Sequence, residues 1–113
     1  MDLTFEIAEE RVDGASVVMV TGEIDVATAP DLKECLVAQE ADGVSDIVVD
    51  LTGVPFIDST ALGVLVGAYR RQIDAGGTFK LVVTEPRILK VLEITALTRV
   101  FPVFATVDQA VHG

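Results

Sequence analysis

The sequence predicts an α/β fold, with a mixed, mainly parallel sheet of about five strands, an N-terminal hairpin and about four helices. Three observations predict it. The chain opens with two strand-like segments on either side of Val12-Asp13-Gly14-Ala15, a turn signal short enough for a hairpin. After Val20, short apolar runs alternate with segments of helical period. The intervals between those runs hold whole helices, which is what crossovers between parallel strands require.

Each element has its own signal. Leu3, Phe5 and Ile7 alternate with Asp2, Thr4 and Glu6, the period of a half-buried strand. Val17-Val18-Met19-Val20 reads as a fully buried one. Thr28 is placed to cap a helix with Pro30 in its first turn, and Leu32, Cys35 and Leu36 mark its apolar face up to Gly43. Ile47-Val48-Val49 is a short buried strand running into Asp50. Leu62, Leu65, Val66, Tyr69 and Ile73 then recur at helical spacing, and Gly76-Gly77 supplies the stop. Arg70 and Arg71 lie toward the negative end of that helix dipole. Phe79–Val83 is the next strand, Pro86 opens a helix carrying Ile88, Leu89 and Leu92, and Val100–Phe104 reads as a last strand. Thr106-Val107-Asp108-Gln109 fits a capping box for a short closing helix. Repeats, low-complexity tracts and linkers are absent, so residues 1–113 are expected to form a single domain.

Composition narrows the function classes. The formal net charge is −10, which repels phosphate backbones and anionic bilayers; neither nucleic acid nor membrane is expected as a partner. The apolar runs fall short of the roughly 20 residues that span a bilayer. The opening M-D-L-T-F-E has neither a basic region nor an apolar signal core, and Cys35 is the lone cysteine. Both features fit the reducing cytoplasm. Cys35 itself reads as a small hydrophobe on its helix stripe rather than a redox sensor.

Enzyme chemistry finds little support. Ser59 has no G-x-S-x-G elbow around it, and the single histidine, His112, stands one residue from the C-terminus. No metal-ligand spacing or phosphate-binding glycine loop is present, so neither a catalytic role nor a cofactor is expected. A receiver-like signalling domain is the competing reading: Asp50 ends a central strand, Thr84 follows the next, and Glu23 and Asp25 follow Val20. That reading lacks a lysine after the last strand, because Lys90 is the final lysine of the chain. Gly63 and Gly67, one helical turn apart, leave a bare strip suited either to close helix–sheet packing or to partner docking.

The segment F-I-D-S-T-A-L-G, Phe56–Gly63, remains. With Asp58 as the helix N-cap, Ser59 and Thr60 fall in the first turn and the Ser59 hydroxyl can face solvent. A phosphate there would meet free backbone N–H groups and the positive helix end, so the fold would tolerate it. It would also add roughly −1.5 to −2 charges to an acidic surface, acting on an interface rather than on folding. Spacing alone also allows a cap and nothing more.

Together, G-E-I-D-V-A-T-A-P (Gly22–Pro30) and F-I-D-S-T-A-L-G-V-L-V-G (Phe56–Gly67) resemble the signature segments of STAS-domain anti-sigma factor antagonists, in the same order and at the right interval. The resemblance covers essentially the whole chain. It implies the STAS fold and partner switching: the antagonist binds an anti-sigma factor that is also a GHKL-type serine kinase, freeing a sigma factor. The kinase switches the antagonist off by phosphorylating the serine after the motif aspartate, and a PP2C-type phosphatase restores it. Carried onto this chain, the phosphoacceptor is Ser59, preceded by Asp58. Glu23, Asp25 and Thr28 match the first contact loop, and Thr60, Ala61 and Gly63 belong to the second. ATP belongs to the kinase. Ala61 stands where the family commonly has glycine, which adds a methyl group near the hydroxyl and bears on kinase fit. The alternative implied by so widely reused a fold is a non-switching scaffold or transport-associated module.

Overall fold

The computed structural model describes residues 5–113, so Asp2, Leu3 and Thr4, assigned above to the first strand, lie outside the described residues. β1 (Glu6–Val12) pairs antiparallel with β2 (Ala15–Thr21), from Glu6 opposite Thr21 to Val12 opposite Ala15. Asp13 (φ 49°) and Gly14 (φ 87°) both take the left-handed conformation, as a two-residue hairpin turn between right-twisted strands requires. α1 (Ala29–Ala41), β3 (Asp46–Gly53), α2 (Ser59–Asp74), β4 (Thr78–Val82) and α3 (Pro86–Ile94) follow. A 3₁₀ turn at Leu97–Arg99, β5 (Val103–Phe104) and α4 (Val107–His112) complete the chain.

The sheet order is β1-β2-β3-β4-β5, with every pair after the hairpin parallel. Each crossover steps to the next position in the same direction. Right-handed crossovers that step one way place their helices on one face. Accordingly, Val18, Val20, Ile47, Val49, Leu51, Phe79 and Leu81 share a core with Ala29, Leu32 and Leu36 of α1, Ala61, Leu65 and Ala68 of α2, and Ile88 and Leu92 of α3. The alternate residues Ala15, Val17, Val48 and Val82 pack against Ala110 of α4 on the other face. Lys80 fastens α4 there by donating to the carbonyls of Ala110 (2.9 Å) and Gly113 (3.0 Å).

Both long helices stop in the same way. Gly43 (φ 73°) and Gly76 (φ 84°) donate to the carbonyls of Glu40 and Ile73, and the next residues, Val44 and Gly77, donate to Gln39 and Gln72. These paired bonds satisfy the last carbonyls and turn the chain back toward the sheet.

Three expectations need correction. The buried strand at Ile47–Val49 extends over Asp46–Gly53. The strand expected over Val100–Phe104 is only Val103–Phe104, because Val100 and Phe101 donate to the Leu97 carbonyl and close a turn, and Pro102 has no N–H for a ladder. Ile73 is 44% exposed. Beside it Gln72, not an apolar residue, is buried and donates to the Val44 carbonyl (2.7 Å).

Candidate functional site

Two loops at the carboxyl ends of β2 and β3 lead into α1 and α2. They are joined at their start, where Gly22 N–H donates to the Gly53 carbonyl at 3.0 Å. Gly53 has to be small: a Cβ there would stand 3.1 Å from the Val20 carbonyl oxygen and 3.2 Å from Thr21 Oγ1. Beyond this junction Ile24 and Ile57, both buried, form an isolated parallel bridge. The residue after each isoleucine is an aspartate. The bridge therefore sets Asp25 and Asp58 in matching places, one just ahead of α1 and the other at the start of α2, beyond the carboxyl ends of adjacent parallel strands.

Each aspartate organises its own helix start. Asp58 is extended (φ −102°, ψ −176°), and its Oδ1 accepts from Ala61 N–H at 2.9 Å. Ser59 and Thr60 are the first two residues of α2 and both are exposed. With the Ala61 N–H taken by the cap, the N–H groups of Ser59 and Thr60 remain for solvent or an anion. Asp25 does the same job more elaborately. Its Oδ1 accepts from Ala27 N–H (2.9 Å), Thr28 N–H (3.1 Å) and Thr28 Oγ1 (3.2 Å), while Ala29 N–H donates to its carbonyl (2.7 Å). Thr28 Oγ1 in return accepts from Asp25 N–H at 2.9 Å and lies 3.0 Å from the Glu23 carbonyl. This is a reciprocal capping box one turn ahead of α1.

The expected Thr28 cap is met in position but not in side-chain bonding. Thr28 stands at the N-cap position of α1 but makes no capping bond to the helix. Its hydroxyl is engaged with Asp25 and Glu23, while the Asp25 carboxylate holds the N–H groups of Ala27 and Thr28 in the turn ahead of α1.

With this geometry in view, comparison with known proteins decides the family: residues 6–110 match the STAS domain. The chain belongs to the STAS domain family. It is 36% identical over 104 residues to the anti-sigma-B factor antagonist of Listeria monocytogenes, a match covering 91% of this chain and 90% of that one. The anti-sigma-B factor antagonist of Bacillus subtilis is 36% identical over 95 residues, 84% of this chain and 86% of its own. Among solved structures, an anti-sigma factor antagonist from Mycobacterium paratuberculosis superposes with a TM-score of 0.89 at 35% identity, covering 96% of this chain and 92% of that chain.

Within this STAS domain, Glu23, Asp25, Thr28, Asp58, Ser59 and Thr60 all lie on the two joined loops and the helix starts they lead into. Ala61 is the exception. Its methyl is fully buried in the core, so it offers no surface to a partner. Gly63 is exposed with nothing within 4 Å of an added Cβ, which removes close helix–sheet packing as its role. The acid cluster that a receiver requires is not assembled either. Asp50 alternates with Val49 and Leu51, which puts it on the α4 side of the sheet, and its Oδ1 accepts from Thr52 N–H at 2.9 Å.

Two residues of the site escaped sequence reasoning. Val26 is 70% exposed and Phe56 is 40% exposed, both beside the motif aspartates. The signal was present: I-D-V-A-T and I-D-S-T-A are two versions of one pattern, in which Val26 takes the place that Ser59 takes in the other loop. A valine at an exposed first position of a helical turn has no local folding reason to be there.

Cys35 on α1 is half-buried, and burial together with the negative charge of Glu9 pushes its thiol up to about 11. At neutral pH it is a protonated thiol and a weak nucleophile.

Proposed function

We propose that this chain is a cytoplasmic anti-sigma factor antagonist that works by partner switching. Unphosphorylated, it binds an anti-sigma factor of the GHKL serine-kinase type through the Asp25 and Asp58 loops, and so frees a sigma factor. The kinase transfers the γ-phosphoryl group of ATP to Ser59 Oγ; the P–O bond to ADP breaks, the new O–P bond forms, and the hydroxyl proton leaves. A PP2C-type phosphatase returns the serine by hydrolysis, releasing inorganic phosphate. The chain supplies the acceptor and the binding surface, with no catalysis of its own.

The observation that carries this reading is the exposed Ser59 at the first position of α2, held by the Asp58 cap and bridged to the Asp25 loop. The relatives named above are antagonists of the same size. The physics of the switch follows from the surroundings. Val26 and Phe56, exposed on the same two loops, give a partner apolar contact area, which suits the dehydrated centre of an interface. A phosphate placed there must lose water when the partner docks, and it sits beside Asp58 and close to the Asp25 loop. Like-charge repulsion and desolvation both oppose docking. The helix N-terminus meanwhile stabilises the same phosphate, so the fold is spared.

Incubating the protein with the anti-sigma factor kinase of the same genome and ATP, followed by peptide mass spectrometry, tests the reading. One phosphate on Ser59, absent from Ser59→Ala, is the expected result. Phosphate on another residue, or none, contradicts it.

A further inference from the structure

A groove of about 340 Å³ runs between α1 and α2, lined by Lys33, Thr60, Gly63, Val64, Gly67 and Arg71. Its floor is open because Gly63 and Gly67 present bare backbone: nothing lies within 4 Å of a Cβ built on Gly63, and only Arg71 Nη1, at 3.2 Å, approaches one on Gly67. Its charge is unusual for this molecule. The chain has 8 basic residues against 18 acidic ones, yet two basic side chains line this one groove. Arg71 is held across from α2 to α1 by Glu40, with Nε 2.6 Å from Oε1 and Nη2 3.3 Å from Oε2. That pairing fixes the guanidinium and leaves Nη1 over Gly67 without a hydrogen-bond partner among the described residues. Lys33 likewise has no ion pair among the described residues. The upper end of the groove is Thr60, directly after Ser59.

We infer that this groove receives an acidic segment of the anti-sigma factor, with a carboxylate side chain reaching over Gly63 between Lys33 and Arg71. The inference rests on the antagonist reading and specifies the partner's chemistry at the same site. Two cationic side chains with unspent N–H donors, one of them held in place by Glu40, match a carboxylate in sign and in hydrogen-bonding character. The glycine floor gives that side chain room that any other residue would fill. The groove opens onto Thr60 and so continues the surface around Ser59.

The test is binding of the purified anti-sigma factor kinase from the same genome, measured by titration calorimetry at low and high salt for four proteins. These are the wild type, Lys33→Glu, Gly63→Leu, and Lys90→Glu on α3 as a control with the same change in net charge. Gly63→Leu fills the groove from an exposed helical position where leucine is a better helix former than glycine, so its melting temperature should equal or exceed that of the wild type. Lys33→Glu and Gly63→Leu should each weaken binding at least about tenfold, the Lys33→Glu loss shrinking at high salt, while Lys90→Glu stays close to the wild type. Wild-type affinity in either groove variant, or an equal loss in Lys90→Glu, overturns the groove and leaves the antagonist reading standing. No binding by the wild type overturns both.

Discussion

Asp25 and Asp58 are the residues on which the site depends, and their roles differ in degree. Asp58 satisfies one N–H group of α2, whereas Asp25 accepts three hydrogen bonds and shares a reciprocal bond with Thr28. Replacing an N-cap aspartate by alanine costs about 1 kcal/mol, with a range of roughly 0.5–2. Asp58→Ala should fall near the middle of that range and Asp25→Ala at its upper end, as read from urea unfolding midpoints. Equal and negligible losses would mean that the loops do not depend on these caps. Cys35 gives a second prediction at this scale. Its neutral thiol is the form favoured in the folded state, so its contribution to stability is complete below pH 9.0 and is lost as pH rises toward about 11. The unfolding free energy of the wild type should therefore decline across that window more than that of Cys35→Ser. Parallel profiles would show that burial and Glu9 do not hold the thiol protonated.

At the scale of elements, the sequence was legible wherever a local chemical signal set the structure. The Asp58 cap, the Pro30 and Pro86 helix starts, the glycine stops at Gly43 and Gly76, and the Asp13-Gly14 turn all need particular residues. Thr106 behaves as expected too, accepting from Gln109 N–H at 3.1 Å, while Gln109 Oε1 reaches back to Ala105 N–H at 3.3 Å. Legibility failed where tertiary contacts decide. Gln39 and Gln72 occupy core-facing positions of α1 and α2 because each finds polar partners there: Gln39 bonds Ser16 and Glu9, and Gln72 bonds the Val44 carbonyl. No helical period announces such partners. The apolar run Val100–Phe104 resembled a strand, but burial of Phe101 is reached from a turn. The site shows the same division. Each motif was visible by itself, but the Ile24–Ile57 bridge that joins them is a long-range pairing. Thr28 holds the N-cap position it was assigned, but its hydroxyl turns back to Asp25 and Glu23 instead of capping the helix. Ala61 looked like a change at the surface and is instead core packing.

For the whole molecule, the arrangement separates the fold from the proposed switch. The three crossover helices share one face of the sheet and one core, while Ser59 lies outside that core, where a phosphate meets helix N–H groups and solvent. A charge added there is compatible with the fold, and under the proposed function it opposes docking by desolvation and like-charge repulsion. Stoichiometric phosphorylation of the wild type, followed by titration calorimetry against the anti-sigma factor and a thermal melt of the same sample, is the most direct measurement. The expected result is binding by the unmodified protein, a loss of at least about a hundredfold in affinity on phosphorylation at Ser59, equivalent to roughly 2.7 kcal/mol, and a melting temperature that does not fall. Retained affinity after phosphorylation, or lost affinity accompanied by a collapse in melting temperature, would contradict it.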